Sequence, residues 1–172
     1  RSLRGNVDTR IKKLKEKQFD SIILSVAGLK RLNLEHLITF IFKENEILPA
    51  ACQGAIGIQT LSDNQELKNF LSPINHKSTE ILCNVERDVL KKIKSNCNSP
   101  IGVLAKREND HINLKCQIFN HNGQKIYSNI LETIFTPENS LGKEMGNDIL
   151  SKLGQEMIDN LDNLENDFDY TP

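Results

Sequence analysis

The sequence predicts an α/β remnant of a two-layered or three-layered sheet domain, followed by an α+β domain with a three-stranded antiparallel sheet and helices on one face. Three observations carry this reading. First, the apolar run over residues 19–27, with Ile22, Ile23, Leu24 and Val26, lies between two helical patterns. That alternation suits a buried strand of a mixed or parallel sheet. Second, Ile81, Val85, Val89 and Ile93 recur at a spacing of four and mark the buried face of a long helix. Third, residues 100–105, 112–119 and 125–135 read as strands, with Asn122-Gly123 as a tight hairpin signal between the last two.

Residues 1–4 read as the end of a strand. Gly5-Asn6 is a turn, and Asn6 suits the N-cap of a helix over 7–16. Gly28 turns the apolar run into a second short helix containing Leu29, Leu32 and Leu37. Over 47–58, Pro49, Gly54 and Gly57 interrupt an apolar stretch, as in a strand that bends or passes between domains. Residues 62–65 read as a capping box opening a helix through Leu71, and 73–77 as a linker. The long helix from Ser78 leads to Cys97, and Pro100 ends any continuation. After the strands, residues 137–164 carry a helical pattern through Leu141, Met145, Ile149, Leu153 and Met157, and the acidic last ten residues read as a frayed tail.

Composition bounds the function. A chain of 172 residues with net charge -1 and no Trp gives no reason to expect nucleic acid or an anionic membrane as partner. The longest apolar stretch, 21–29, is too short to span a bilayer, and no secretory signal is visible. The four cysteines, Cys52, Cys83, Cys97 and Cys116, share no metal-type spacing, so no metal site is expected. They read as reduced thiols of a cytoplasmic protein. Residue 1 is Arg, and the strand it ends lacks a beginning, so the chain is expected to be the C-terminal part of something longer.

Four places carry candidate chemistry. Arg4 and Arg10 lie near the N-terminus of the first helix, where exposed N–H groups favour anions; Thr9 adds a hydroxyl, and an arginine fork binds carboxylate or phosphate bidentately. An ordinary solvated helix face would look the same. Lys30 and Arg31 follow Gly28 and are expected in the first turn of the second helix, against the dipole, which points to an anionic partner. The small residues of 49–57 let backbone pass close to a ligand or another surface, or simply make a tight crossover. Cys97 sits on a short loop between helix and strand, a place for a nucleophile or an attachment point, although a single cysteine is more often a small buried hydrophobe.

These pieces occur together, in this order and at matching distances, in one family. Ser2-Leu3-Arg4-Gly5-Asn6-Val7, Ile22-Ile23-Leu24 through Ala27-Gly28-Leu29-Lys30-Arg31-Leu32, Leu48-Pro49 with Gln53-Gly54-Ala55-Ile56-Gly57-Ile58, and Glu86-Arg87 with Cys97 and Pro100-Ile101-Gly102 make the chain resemble porphobilinogen deaminase, also called hydroxymethylbilane synthase. The resemblance covers nearly the whole chain. It implies three regions: 1–48 as the end of domain two, 49–74 as the segment returning to domain one with a linker, and 75–172 as the C-terminal domain. It implies a transferase that condenses four porphobilinogen molecules, with loss of ammonia, into the linear tetrapyrrole hydroxymethylbilane on a dipyrromethane cofactor. That cofactor would be held by a thioether to Cys97, and Arg4, Arg10 and Arg31 match family arginines that hold its carboxylates.

The chain departs from the family pattern in three ways. Ser95-Asn96 stands where two small residues, generally glycines, precede the attachment cysteine. Asn96 tolerates left-handed geometry, so the loop is expected to survive. Ala51-Cys52 stands where the family more often has glycine before the glutamine. The family's catalytic aspartate and its neighbouring lysine belong upstream, so no catalytic residue is expected here and the chain alone is expected to be inactive. The complete enzyme would be a monomer, whereas this chain, with an uncovered strand, would self-associate or be partly disordered. A reading from another class stands beside this one: a non-catalytic anion-binding or scaffold domain that uses the same arginines without a cofactor.

Overall fold

A computed structural model describes residues 3–96 and 99–162. The chain divides into two compact units at the Lys43/Glu44 boundary.

The second unit holds the core. Its elements are α3 (Gln65–Leu71), a 3₁₀ turn (Ser72–Ile74), α4 (Lys77–Ile93), β1 (Ile101–Glu108), β2 (His111–Phe119), β3 (Lys125–Ile134), α5 (Leu141–Leu153) and α6 (Gln155–Asp162). The strands form one antiparallel sheet in the order β1-β2-β3. Register sets Val103 opposite Cys116, Ala105 opposite Leu114 and Ile118 opposite Tyr127, with an irregularity at Ile118/Phe119 just before the Asn122-Gly123 turn. Gly123 takes φ +73°, the left-handed geometry that made this dipeptide a hairpin signal.

Alternation along β2 sends Ile112, Leu114, Cys116 and Ile118 inward, all fully buried. Val85, Val89 and Ile93 of α4 and Met145 and Ile149 of α5 meet them, so both helices lie on one face of the sheet, as the sequence predicts. The two helices pack closely because α5 presents glycines to α4. A Cβ on Gly142 would sit 2.2 Å from the Val85 carbonyl oxygen, and one on Gly146 would sit 2.5 Å from the Lys92 side chain. Asp148 of α5 ties the helix to β3, accepting hydrogen bonds from Tyr127 Oη at 2.6 Å and Asn129 Nδ2 at 2.9 Å. The single helical pattern over 137–164 divides at Gly154, whose φ of +75° ends α5.

The first unit is built differently. It contains α1 (Val7–Lys15), α2 (Val26–Arg31) and a 3₁₀ turn (Glu35–Leu37). The strands expected over 19–27 and 47–58 do not form, and residues 3–4 of the expected 1–4 strand carry no ladder either. The physical reason is the one that governs every strand: apolar character makes a segment ready for a sheet, but hydrogen-bonding partners make the strand. Among the described residues none pairs with 19–27 in a ladder, and Ile23 stays 71% exposed.

Helix boundaries move for reasons of capping. Asn64, not Ser62, caps α3, accepting from Leu67 N at 2.9 Å. The helix expected to reach Cys97 ends at Ile93, where Lys94 takes φ +55°. No helix among the described residues is long and apolar enough to cross a membrane.

Candidate functional site

The Gly5-Asn6 turn organises the first group of candidate residues. Asn6 Oδ1 accepts from Thr9 N at 2.8 Å, as a good N-cap should. Gly5 is extended through positive φ (+120°), and a Cβ there would come within 2.8 Å of the Thr9 side chain. The turn therefore requires glycine. Arg10 is half-buried, and its Nε donates to the Gly5 carbonyl at 2.7 Å. This bond holds the guanidinium against the turn through Nε. Arg4 flanks the same turn and is exposed.

Arg31 is placed differently from expectation. Ser25, not Gly28, caps α2: its Oγ accepts from Gly28 N at 3.4 Å. The helix begins at Val26, so Lys30 and Arg31 occupy its last turn, where a cation is favoured by the dipole. Basic residues in the first turn, against the dipole, are not what this helix shows, and that argument for an anionic partner falls. Arg31 remains an exposed guanidinium in the same unit as Arg4 and Arg10.

In the second unit, the loop around Pro49–Gly57 is fastened to α4 and β1 through one buried carboxylate. Glu86, 5% exposed, accepts from Cys52 N at 2.5 Å and from Ala105 N at 2.8 Å. Burial pushes its carboxyl above the ordinary glutamate range, partly offset by these same N–H donors. The Pro49 carbonyl accepts from Val103 N at 3.0 Å, so the loop also covers the edge of β1. The approach demands Gly102, where a Cβ would lie 2.8 Å from Leu48 Cβ. Cys52 takes φ +59°, left-handed geometry that glycine adopts more readily.

The α4–β1 loop is closed at its base. Lys94 caps α4, Ser95 N donates to the Leu90 carbonyl at 3.0 Å, and the Ser95 and Ser99 hydroxyls meet at 2.6 Å. Ile101 N donates to the Ser99 carbonyl at 2.7 Å, and Phe119 N donates to the Pro100 carbonyl at 3.0 Å, joining the loop to the sheet. Cys97, the predicted attachment point, lies outside the described residues. The left-handed residue ahead of it is Lys94, outside the Ser95-Asn96 pair.

Glu86 was quoted in the sequence only as part of a motif, and its anchoring role was missed. One signal was available: Glu86 stands between Leu82 and Leu90 at helical spacing, a carboxylate in an apolar row. The Ser95–Ser99 pair had no such signal, because a loop closure depends on where its ends meet.

Two family profiles match the chain in order. One, described as "Porphobilinogen deaminase, dipyromethane cofactor binding domain", matches residues 1–69, and the other, "Porphobilinogen deaminase, C-terminal domain", matches residues 80–151. The chain belongs to the porphobilinogen deaminase family. The porphobilinogen deaminase of Campylobacter lari is 45% identical over 116 residues, covering 66% of this chain and 37% of the relative. The chloroplastic enzyme of Oryza sativa subsp. japonica is 35% identical over 163 residues, 93% of this chain and 46% of the relative. That of Campylobacter concisus is 35% identical over 161 residues, 91% of this chain and 51% of the relative. The chain thus spans about half the length of these relatives or less.

The residues present fit the group that the first profile names. A dipyrromethane bearing acetate and propionate side chains is a polyanion, and three guanidiniums in one small unit, one of them held on a capped turn, suit such a ligand.

Proposed function

We propose that this chain is the C-terminal portion of a transferase that joins four porphobilinogen molecules into hydroxymethylbilane, each with loss of ammonia. The observation that supports this most is the ordered match of both halves of one chain to the two porphobilinogen deaminase profiles. In this reading Cys97 is the attachment residue, and regions 1–48, 49–74 and 75–172 are the end of domain two, the returning segment with its linker, and the C-terminal domain. When bound, the dipyrromethane supplies the primer to which the incoming pyrroles are added.

This chain's own residues hold and position. The Ser95–Ser99 hydroxyl pair and the Lys94 cap hold the described residues on either side of the Cys97 segment. Arg10, steadied by the Gly5 carbonyl, receives a carboxylate with its terminal nitrogens, and Arg4 and Arg31 receive others. Glu86 keeps the 49–57 segment seated on α4 and β1. Proton transfer to the departing ammonia belongs to no residue here. The substrate is porphobilinogen, the setting is the cytoplasm, and the complete enzyme is a monomer.

Turnover tests the proposal. The chain alone, incubated with porphobilinogen, should form no tetrapyrrole absorbance. Joined behind the upstream portion of the Campylobacter concisus relative, it should restore turnover, and Arg10→Leu in that chimera should abolish it with little change in melting temperature. Each lost charged fork is worth roughly 1.5–3 kcal/mol of binding. Full turnover of Arg10→Leu would remove Arg10 from the site, and turnover by the chain alone would contradict the division of labour.

A further inference from the structure

We infer that Cys52 and Cys83 form a dithiol modification site that closes to a disulfide under oxidation and staples the 49–57 loop to α4. The two residues are distant in sequence but adjacent in the fold. Cys52 Sγ lies 3.5 Å from the Cys83 carbonyl oxygen, and both side chains are half-buried rather than sealed in the core. The left-handed φ of Cys52 turns its backbone N–H onto Glu86. Cys83 and Glu86 lie three residues apart on α4, so the amide and the thiol of Cys52 meet the same stretch of one helix. The pair is therefore already held together by hydrogen bonds, and closure requires the Cys52 thiol to turn from the Cys83 carbonyl to the Cys83 sulfur.

The environment separates the roles of the two sulfurs. Burial first, and then the neighbouring Cys52, push the Cys83 thiol up to about 11, which keeps it protonated near neutral pH. We assign first oxidation to Cys52, which lies on the loop, whereas Cys83 lies within α4. With hydrogen peroxide, the Cys52 sulfur attacks the O–O bond, leaving a sulfenic acid and one water. The Cys83 sulfur then attacks the Cys52 sulfur, the S–S bond forms, the S–O bond breaks, and the hydroxyl leaves with the Cys83 proton as a second water. Two thiols lose two electrons together, and one peroxide is reduced to two waters. Cys116 takes no part: it is fully buried within the sheet, and its thiol is pushed up to about 12.

The test uses the full chain, natively folded, treated with hydrogen peroxide, alkylated and mapped without reduction. The expected product is a Cys52–Cys83 cross-linked peptide, reversed by dithiothreitol, with two free thiols lost per molecule and slower protease cleavage within 53–60. Cys52→Gly suits the left-handed backbone, should stay folded, and should leave Cys83 reduced under the same treatment. In Cys83→Ser, dimedone should label Cys52. Cross-links from either cysteine to Cys97 or to a second copy would overturn the inference. So would irreversible oxidation of both sulfurs with no cross-link.

Discussion

The two units treat the same kinds of residue in opposite ways. In 44–162, β2 sends Ile112, Leu114, Cys116 and Ile118 into full burial, whereas in the first unit Ile23, within the apolar run over 19–27, is 71% exposed. Hydrophobicity alone does not decide which is buried. Leu114 has a strand on each side of it and two helices above, and Ile23 has neither among the described residues. The first unit buries Ile11 and Leu29 and adds local caps and turns: Asn6 on α1, Ser25 on α2, and Arg10 on Gly5. The second unit buries a far larger set around its sheet.

This contrast can be broken at graded points. Leu114→Ala should have the largest effect, about 2–5 kcal/mol by urea titration, because the site is fully buried against sheet and helices. Gly142→Ala comes next. The added methyl meets the Val85 carbonyl oxygen, a backbone atom that cannot step aside, so the cost should be roughly 1–3 kcal/mol even though alanine favours the helix by about 1 kcal/mol. Gly146→Ala should cost a comparable amount, since it meets Lys92 Cβ and Cγ at 2.5 Å, the backbone-fixed root of that side chain. If both glycines tolerate alanine, close packing of α4 on α5 is not what holds this unit.

Glu86→Gln tests the polar tie. Both carboxylate oxygens accept from backbone N–H groups, and the glutamine amide would turn a donor toward one of them. A loss of about 1–3 kcal/mol is expected. Because burial raises the Glu86 carboxyl, its contribution to stability is fullest below the ordinary glutamate range and is lost as pH rises through the folded value. The deficit of Glu86→Gln relative to the parent should therefore grow as pH falls from 7 toward 4. A deficit independent of pH would mean that the carboxyl titrates alike in folded and unfolded chains. The smallest effect should come from Ile23→Ser, which should leave the melting of the second unit within about 0.5 kcal/mol of its parent, as a surface change does.

The same contrast explains what was legible in the sequence. The sheet and its helices were readable because their periodicities, two along Ile112 to Ile118 and about four along Ile81 to Ile93, are imposed by burial within the same stretch of chain. The segments over 19–27 and 47–58 misled because strand character depends on a neighbour that a local pattern cannot report. Lys30 and Arg31 misled through a helix start placed at Gly28 when Ser25 supplies the cap. The motifs that name the family were visible; the left-handed geometry expected of Asn96 falls on Lys94, the C-cap of α4. Glu86 was hidden by its partners, two backbone amides on separate elements.

The most direct measurement is the intact mass of the chimera carrying this chain behind the upstream portion of the Campylobacter concisus relative. One dipyrromethane adduct per molecule should be found, resistant to dithiothreitol as a thioether is, and absent from Cys97→Ser. An adduct that persists in Cys97→Ser would place the attachment elsewhere. A chimera that folds, binds carboxylate-rich ligands and carries no adduct would make this chain an anion-binding scaffold rather than part of a tetrapyrrole-forming enzyme.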